Sequence, residues 1–301
     1  MFPTKQLFFS LLLPTIIGGG IFIFARSRSP KEYATVRYER GQDGFIGWLI
    51  AAALGISYIV GYLGLEGLPA FPPRQGIHWL CYLAIIGLIV GVFWHLPVWG
   101  PIAQVALSII IPRLLLTTTF KYTWGPIAGI IWWVFLAVAI FIFWHFIEQS
   151  FRTLPSGASG PFVYFGLCGG TALILALSGS LRLAQHCGIL VALFAASWII
   201  MLVLQRDRKR FVFPRGTSPV VTLLLAGIWM NGYFFAEVPT VSAILLAISP
   251  LLAQVGRIEA VQGLGARRSI LVQVGAIALP VIIAIGVAVA RSGFFGDNNS
   301  Y

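Results

Sequence analysis

The chain has 301 residues, 58% of them hydrophobic and only 10% charged, with a mean hydropathy of +0.91. Soluble domains carry roughly 25% charged residues, so a water-soluble fold is excluded and an all-α, polytopic integral membrane helix bundle is expected in the lipid bilayer. The excess of 20 Lys and Arg over 9 Asp and Glu would suggest nucleic acid in a soluble protein, but in a membrane protein it marks loops that resist translocation and attract anionic lipid headgroups, so no nucleic-acid partner is expected.

A span needs about 20 mostly apolar residues, and ten stretches come close to that length. Residues 7–24 form the first; only Lys5 precedes them and no small-x-small cleavage site follows, so they read as a span and not as a detachable signal. Arg26, Arg28, Lys31, Arg37 and Arg40 occupy the polar stretch 25–44. The second span, 45–65, leads to Glu66 and a turn holding Pro69, Pro72 and Pro73, which cannot extend a helix. The third is 77–94. The fourth, 102–118, is interrupted by Pro112 and Arg113. The fifth, 126–146, and sixth, 161–177, flank a polar loop; the seventh, 186–204, runs into Arg206, Arg208, Lys209 and Arg210. The eighth, 219–236, and a short ninth, 238–252, are followed by a connection with Arg257, Glu259, Arg267 and Arg268 that suits a short interfacial helix. The tenth is 270–290. Trp79, Trp94, Trp99, Trp124 and Trp144 fall near span ends, as interface-anchoring aromatics do.

Alternating these spans puts fourteen Lys and Arg on one side and six on the other. The positive-inside rule makes the basic side cytoplasmic. The expected protein is therefore a multi-pass protein of the plasma (inner) membrane with both termini outside, its cytoplasmic basic loops on anionic headgroups.

One short pattern occurs twice. Gly61-Tyr62 is followed by Glu66 and Pro69, and Gly232-Tyr233 by Glu237 and Pro239. Each copy closes a span that follows a basic loop. Residues 7–94 and 186–252 are thus expected to be parallel repeats of three helices, an arrangement that in transporters places sites at the repeat interface. An ionisable group near a span faces a cavity or a partner. Glu66 and Glu237, with Tyr62 and Tyr233 one turn earlier on the same helix face, are the expected substrate-binding residues, and Arg74 is the expected partner of Glu66. Asn231 joins them; its amide must find a partner in hydrocarbon, and a neighbouring helix is expected to supply it. Six residues separate Asn231 from Glu237, so their side chains diverge by about 120°. Glu237 and Tyr233 are expected to face protein.

Catalytic and metal signatures are weak. His145 and Glu148 stand three residues apart with no further cluster, and His78, His95 and His186 are scattered. Cys81, Cys168 and Cys187 are odd in number and without CxxC spacing, so they read as buried thiols. Gly157-Ala158-Ser159-Gly160 resembles the stretch around the nucleophile of rhomboid intramembrane proteases over four residues only, with His186 as the one downstream base. No catalytic residue, metal or cofactor is assigned. The ten spans, the helices broken at Pro112 and Pro250 and the paired Glu66 and Glu237 point first to a secondary transporter or permease for a small molecule. The alternative is a non-catalytic subunit or scaffold packed against other membrane subunits, and a lipid-modifying enzyme using His145, Glu148 or Glu237 stands behind both.

Overall fold

The computed structural model describes residues 8–27, 42–94, 96, 98–154, 158–204 and 216–292. The basic stretches at 28–41 and 205–215 lie outside these residues. What is described is helical, with no strand among the described residues: a π-helical turn Phe8–Leu12 and α1 (Leu13–Ser27), α2 (Gln42–Glu66), α3 (Gly76–Phe93), α4 (Trp99–Leu115), α5 (Thr117–Tyr122), α6 (Pro126–Thr153), α7 (Ser159–Leu177), α8 (Leu181–Leu204), α9 (Thr217–Phe235), α10 (Thr240–Ile248) with a 3-10 continuation Ser249–Arg257, α11 (Glu259–Gln262) and α12 (Ala266–Arg291). Nine helical segments among the described residues are long and apolar enough to cross a membrane. The remaining expected span is α4, of 17 residues, about 25 Å at 1.5 Å per residue and so at the short limit for a crossing.

The prolines act where the chain needs a break. Pro112 removes a backbone donor in the last turns of α4, and the helix ends at Leu115. Thr117 then turns back to donate its hydroxyl to the carbonyls of Arg113 (2.7 Å) and Leu114 (3.0 Å). Pro250 sits at the start of the 3-10 continuation of α10. There Ser242 and Ser249 donate to the Ala284 and Ile277 carbonyls of α12 at 2.9 and 3.0 Å, tying the broken helix to an unbroken one.

Packing is ordered by polarity in the opposite sense to a soluble protein. Lipid tails are as apolar as leucine, so hydrophobicity does not draw a helix inward; small and polar residues that pack or hydrogen-bond do. The least hydropathic span, α9, is 78% buried, whereas the much more hydropathic α6 is 22% buried. Helix α9 touches α2, α3, α4, α6, α8 and α10. Thr217, Ser218, Thr222 and Asn231 on it are all buried. Its closest neighbour is α3, and glycines permit the approach: a Cβ on Gly91 would stand 2.4 Å from the Gly216 carbonyl oxygen.

Two boundaries differ from expectation. Helix α6 runs on to Thr153, so Trp144 is not at its end but fully buried, stacked on Trp94 with ring centroids 5.5 Å apart. Helix α8 begins at Leu181, five residues before the expected span. Gly179, at φ +82, reverses the chain in a short turn closed by Ser180 N–H on the Leu175 carbonyl at 3.0 Å. Arg182 is therefore inside a helix, not in a loop. The connection expected to hold a short interfacial helix carries the four-residue α11.

Candidate functional site

The turn at Gly179 lays α8 against α7 and presents the first turns of α8 to the end of α2. Arg182 and His186 are four residues apart and share one face of α8. Opposite them, Tyr58, Tyr62 and Glu66 form a stripe of the same four-residue spacing on α2. Glu66 is the last residue of α2; Gly67 closes the helix in the left-handed region, at φ +74, with its N–H on the Leu63 carbonyl.

The two stripes meet on the carboxylate. Arg182 donates Nε–H to Glu66 Oε1 at 2.6 Å and Nη2–H to Glu66 Oε2, the two-pronged fork that fixes a guanidinium on a carboxylate. His186 Nε2 stands 3.1 Å from Glu66 Oε1. With the carboxylate as acceptor, Nε2 carries the proton of that hydrogen bond, and Nδ1 is buried without a partner among the described residues. Tyr62 lies against the His186 ring at 5.2 Å between centroids, and Tyr58 at 6.4 Å. His186, Tyr58 and Tyr62 are fully buried. The Glu66 side chain is 11% exposed and that of Arg182 50%. The cluster thus grades from an accessible cation, through a carboxylate, to a buried imidazole and two buried phenols. The charges of Arg182 and Glu66 cancel each other, which is what lets the pair stand at the end of apolar helices.

Arg182 opens onto a vestibule of about 750 Å³. The start of α3, the end of α4, the start of α8 and the end of α9 all line it, so these ends share one face of the bundle. Its polar groups include Arg74, Arg182 and Asn231, and its apolar wall includes Phe71, Trp79 and Phe235. Asn231 is buried and donates Nδ2–H to the Gly227 carbonyl of its own helix at 2.8 Å and to the Gly76 carbonyl of α3 at 3.4 Å. The neighbouring helix expected for it is α3. Gly76 must lack a side chain for this contact, since a Cβ there would lie 1.9 Å from Asn231 Oδ1.

Other sequence expectations change. The partner of Glu66 is Arg182, because the α2–α3 turn carries Arg74 to the exposed lip, where its backbone N–H donates to His78 Nδ1 at 3.3 Å. Glu237 does not face protein: α9 ends at Phe235, and Glu237 itself takes the left-handed turn at φ +52 and is exposed. Tyr233 is half-buried, its hydroxyl 3.5 Å from that of Thr240. It lines a separate groove of about 290 Å³ between α6, α9 and α10, whose wall is almost wholly apolar. Asn231 and Tyr233 thus look into different cavities. His145 pairs with Gln149 (2.9 Å) on exposed α6. Ser159 opens α7, whereas His186 lies on α8 next to Cys187, whose Sγ–H donates to the Cys168 carbonyl in the middle of α7, about 14 Å along the helix axis from Ser159, so serine and base do not meet. The three cysteines are buried and free, and among the described residues no cluster of three His, Cys, Asp or Glu forms.

Arg182 and His186 were not anticipated. The readable signal was Arg-x-x-x-His at the head of an apolar run, which puts both on one helical face; the span boundary at 186 hid it. No protein family, curated protein or solved structure matches the chain.

Proposed function

We propose that this chain is a secondary transporter, a permease for a small organic anion, in the plasma membrane with the vestibule and both termini outside. The observation that carries this reading is Arg182. Its guanidinium is clamped by Glu66 yet half exposed on a vestibule with aromatic walls. Small-molecule sites are concave, mostly apolar and furnished with a few placed polar groups. In this reading Arg182 takes the anionic group, Phe71, Trp79 and Phe235 take the apolar body, and the Asn231 amide borders the other wall. Glu66 and His186 are positioning residues for Arg182, and Tyr62 and Tyr58 support the imidazole. The break after Ile248, where α10 passes into a 3-10 segment, makes one helix discontinuous, a feature from which transporter sites are typically built. The outward orientation is supported by the fourteen-to-six distribution of Lys and Arg.

A non-catalytic subunit is the alternative, favoured by α6, whose long exposed face carries Ile127, Ile131, Val134, Phe135 and Val138. Titration of the purified full-length protein with benzoate, and with benzylamine as its cationic counterpart, separates the two. The transport reading expects benzoate to raise the thermal midpoint, benzylamine to leave it, and the charge-balanced Glu66→Gln/Arg182→Gln variant to lose the benzoate effect. An equal benzoate effect in that variant, or none in the wild type together with a stoichiometric partner retained from native membranes, supports the subunit reading. Orientation is tested by a membrane-impermeant thiol reagent on sealed cells, in a background without the three native cysteines. Glu237→Cys is expected to label and Arg208→Cys to stay unlabelled; the reverse sinks the topology.

A further inference from the structure

At the corner where α4 ends, α5 turns and α6 begins lies a cleft of about 480 Å³ that shares only Thr117 with the vestibule. Two cations line it, Arg113 from the last turn of α4 and Lys121 from the last turn of α5. Both are exposed. The Arg113 guanidinium lies over the rings of Phe120 (5.6 Å) and Trp133 (5.9 Å), and the Lys121 ammonium over that of Tyr122 (5.1 Å). Trp133 is held in turn by its indole N–H on the Ile109 carbonyl at 2.7 Å. Aromatic faces steady a cation without neutralising it, and no carboxylate pairs with either residue among the described residues.

Two uncompensated cations at one corner call for an anion, and the surroundings say which kind. Arg113 stands two residues before the end of a helix only about 25 Å long, so it lies where hydrocarbon gives way to headgroups. Beside the cleft, Ile127, Ile130 and Ile131 of α6 are 60–76% exposed, and Ile109 and Ile110 of α4 are 42–46% exposed. They form an apolar surface running away from the cations into the bilayer. A water-soluble anion would use the cations and leave that surface idle. A ligand with a phosphate at this depth and acyl chains below it uses both. We infer that the α4–α5–α6 cleft binds the headgroup of an anionic phospholipid, its phosphate on Arg113 and Lys121 and its chains along α4 and α6. This site is at the opposite end of the bundle from the start of α2 and the start of α9, and it rests on no part of the transport reading.

The test is a lipid titration of the full-length protein in detergent, followed by native mass spectrometry and by the thermal midpoint. The probes are phosphatidylglycerol, phosphatidylcholine and inorganic phosphate. Phosphatidylglycerol is expected to bind more tightly than phosphatidylcholine and to raise the midpoint. Arg113→Gln and Lys121→Gln should each weaken it about fivefold, the factor for one basic residue at an anionic surface, and Arg113→Lys should retain most of the binding. Each variant must elute as a single species with wild-type tryptophan emission, and the exposure of both side chains makes this the expected behaviour. Equal binding of the two lipids by the wild type, an undiminished preference in Arg113→Gln/Lys121→Gln, or the same stabilisation by inorganic phosphate alone overturns the inference.

Discussion

Gly61–Glu66 and Gly232–Glu237 share Gly, Tyr and Glu at the same spacing, and they end in opposite circumstances. In the first, α2 continues through the glutamate because Gly67 follows and takes the left-handed turn. Glu66 stays in helical register with Tyr62 and Tyr58, and all three face α8. In the second, Val238 follows the glutamate. The helix stops at Phe235, and Glu237 itself adopts positive φ, which points it outward. The partners differ as well. Helix α8 brings Arg182 and His186 to Glu66, whereas the segment after Glu237 brings Pro239 and Thr240. A carboxylate at a span end becomes part of a site only where the helix carries it in register and a cation arrives from another helix. Elsewhere the same residue is a solvated turn.

The sharpest way to break this comparison is to remove the cation. Arg182→Gln leaves the Glu66 carboxylate without its fork and should destabilise the protein by about 2 kcal/mol. This is less than the roughly 3–5 kcal/mol for a fully buried pair, because half of Arg182 reaches the vestibule. Thermal melts in detergent should show most of that loss recovered in Glu66→Gln/Arg182→Gln, which leaves no lone charge. If the double variant is no better than the single, the fork is not what holds Glu66.

Next in size is Asn231→Leu, which deletes the amide's bonds to Gly227 and Gly76. A loss of about 1 kcal/mol is expected, typical of a polar contact between membrane helices. An unchanged melting midpoint would show that α9 is held by shape alone.

Glu237 should respond with the opposite sign. Glu237→Gly relieves the left-handed strain and is expected to stabilise by up to about 1 kcal/mol. Glu237→Gln keeps the backbone problem and should lie within about 0.5 kcal/mol of wild type, as for other surface changes. Loss of benzoate response in Glu237→Gln with normal stability would restore this residue to the site and undo the contrast.

The smallest effects are in the phenols. Tyr62 has a buried hydroxyl with no partner among the described residues, so Tyr62→Phe should be neutral or slightly stabilising, since a buried polar group without a bond costs more than its absence. Tyr233→Phe loses only a 3.5 Å contact to Thr240 and should be neutral within about 0.5 kcal/mol. A loss above about 1 kcal/mol in Tyr62→Phe would mean that its hydroxyl has a partner inside the cluster.

Much of the fold was legible in the amino-acid order, because a span's length and apolarity are local properties set by the thickness of the bilayer. The spans at 45–65, 77–94 and 219–236 correspond closely to α2, α3 and α9, and Pro112 and Pro250 fall within a turn of the ends of α4 and α10, although Pro280 is carried inside α12. Glu66, Tyr62 and Asn231 could be singled out because polar groups in hydrocarbon need partners. Their partners were another matter. Arg182 is 116 residues from Glu66, and Gly76 is 155 from Asn231. In a bilayer no gradient of hydrophobicity says which helix lies beside which; the central place of α9 and the peripheral place of α6 followed from glycine contacts and polar pairs spread over several helices. Which glutamate met a cation was therefore decided only when α8, turned at Gly179, came down against the end of α2, since a fork between a guanidinium and a carboxylate forms across space and leaves no mark on either segment alone.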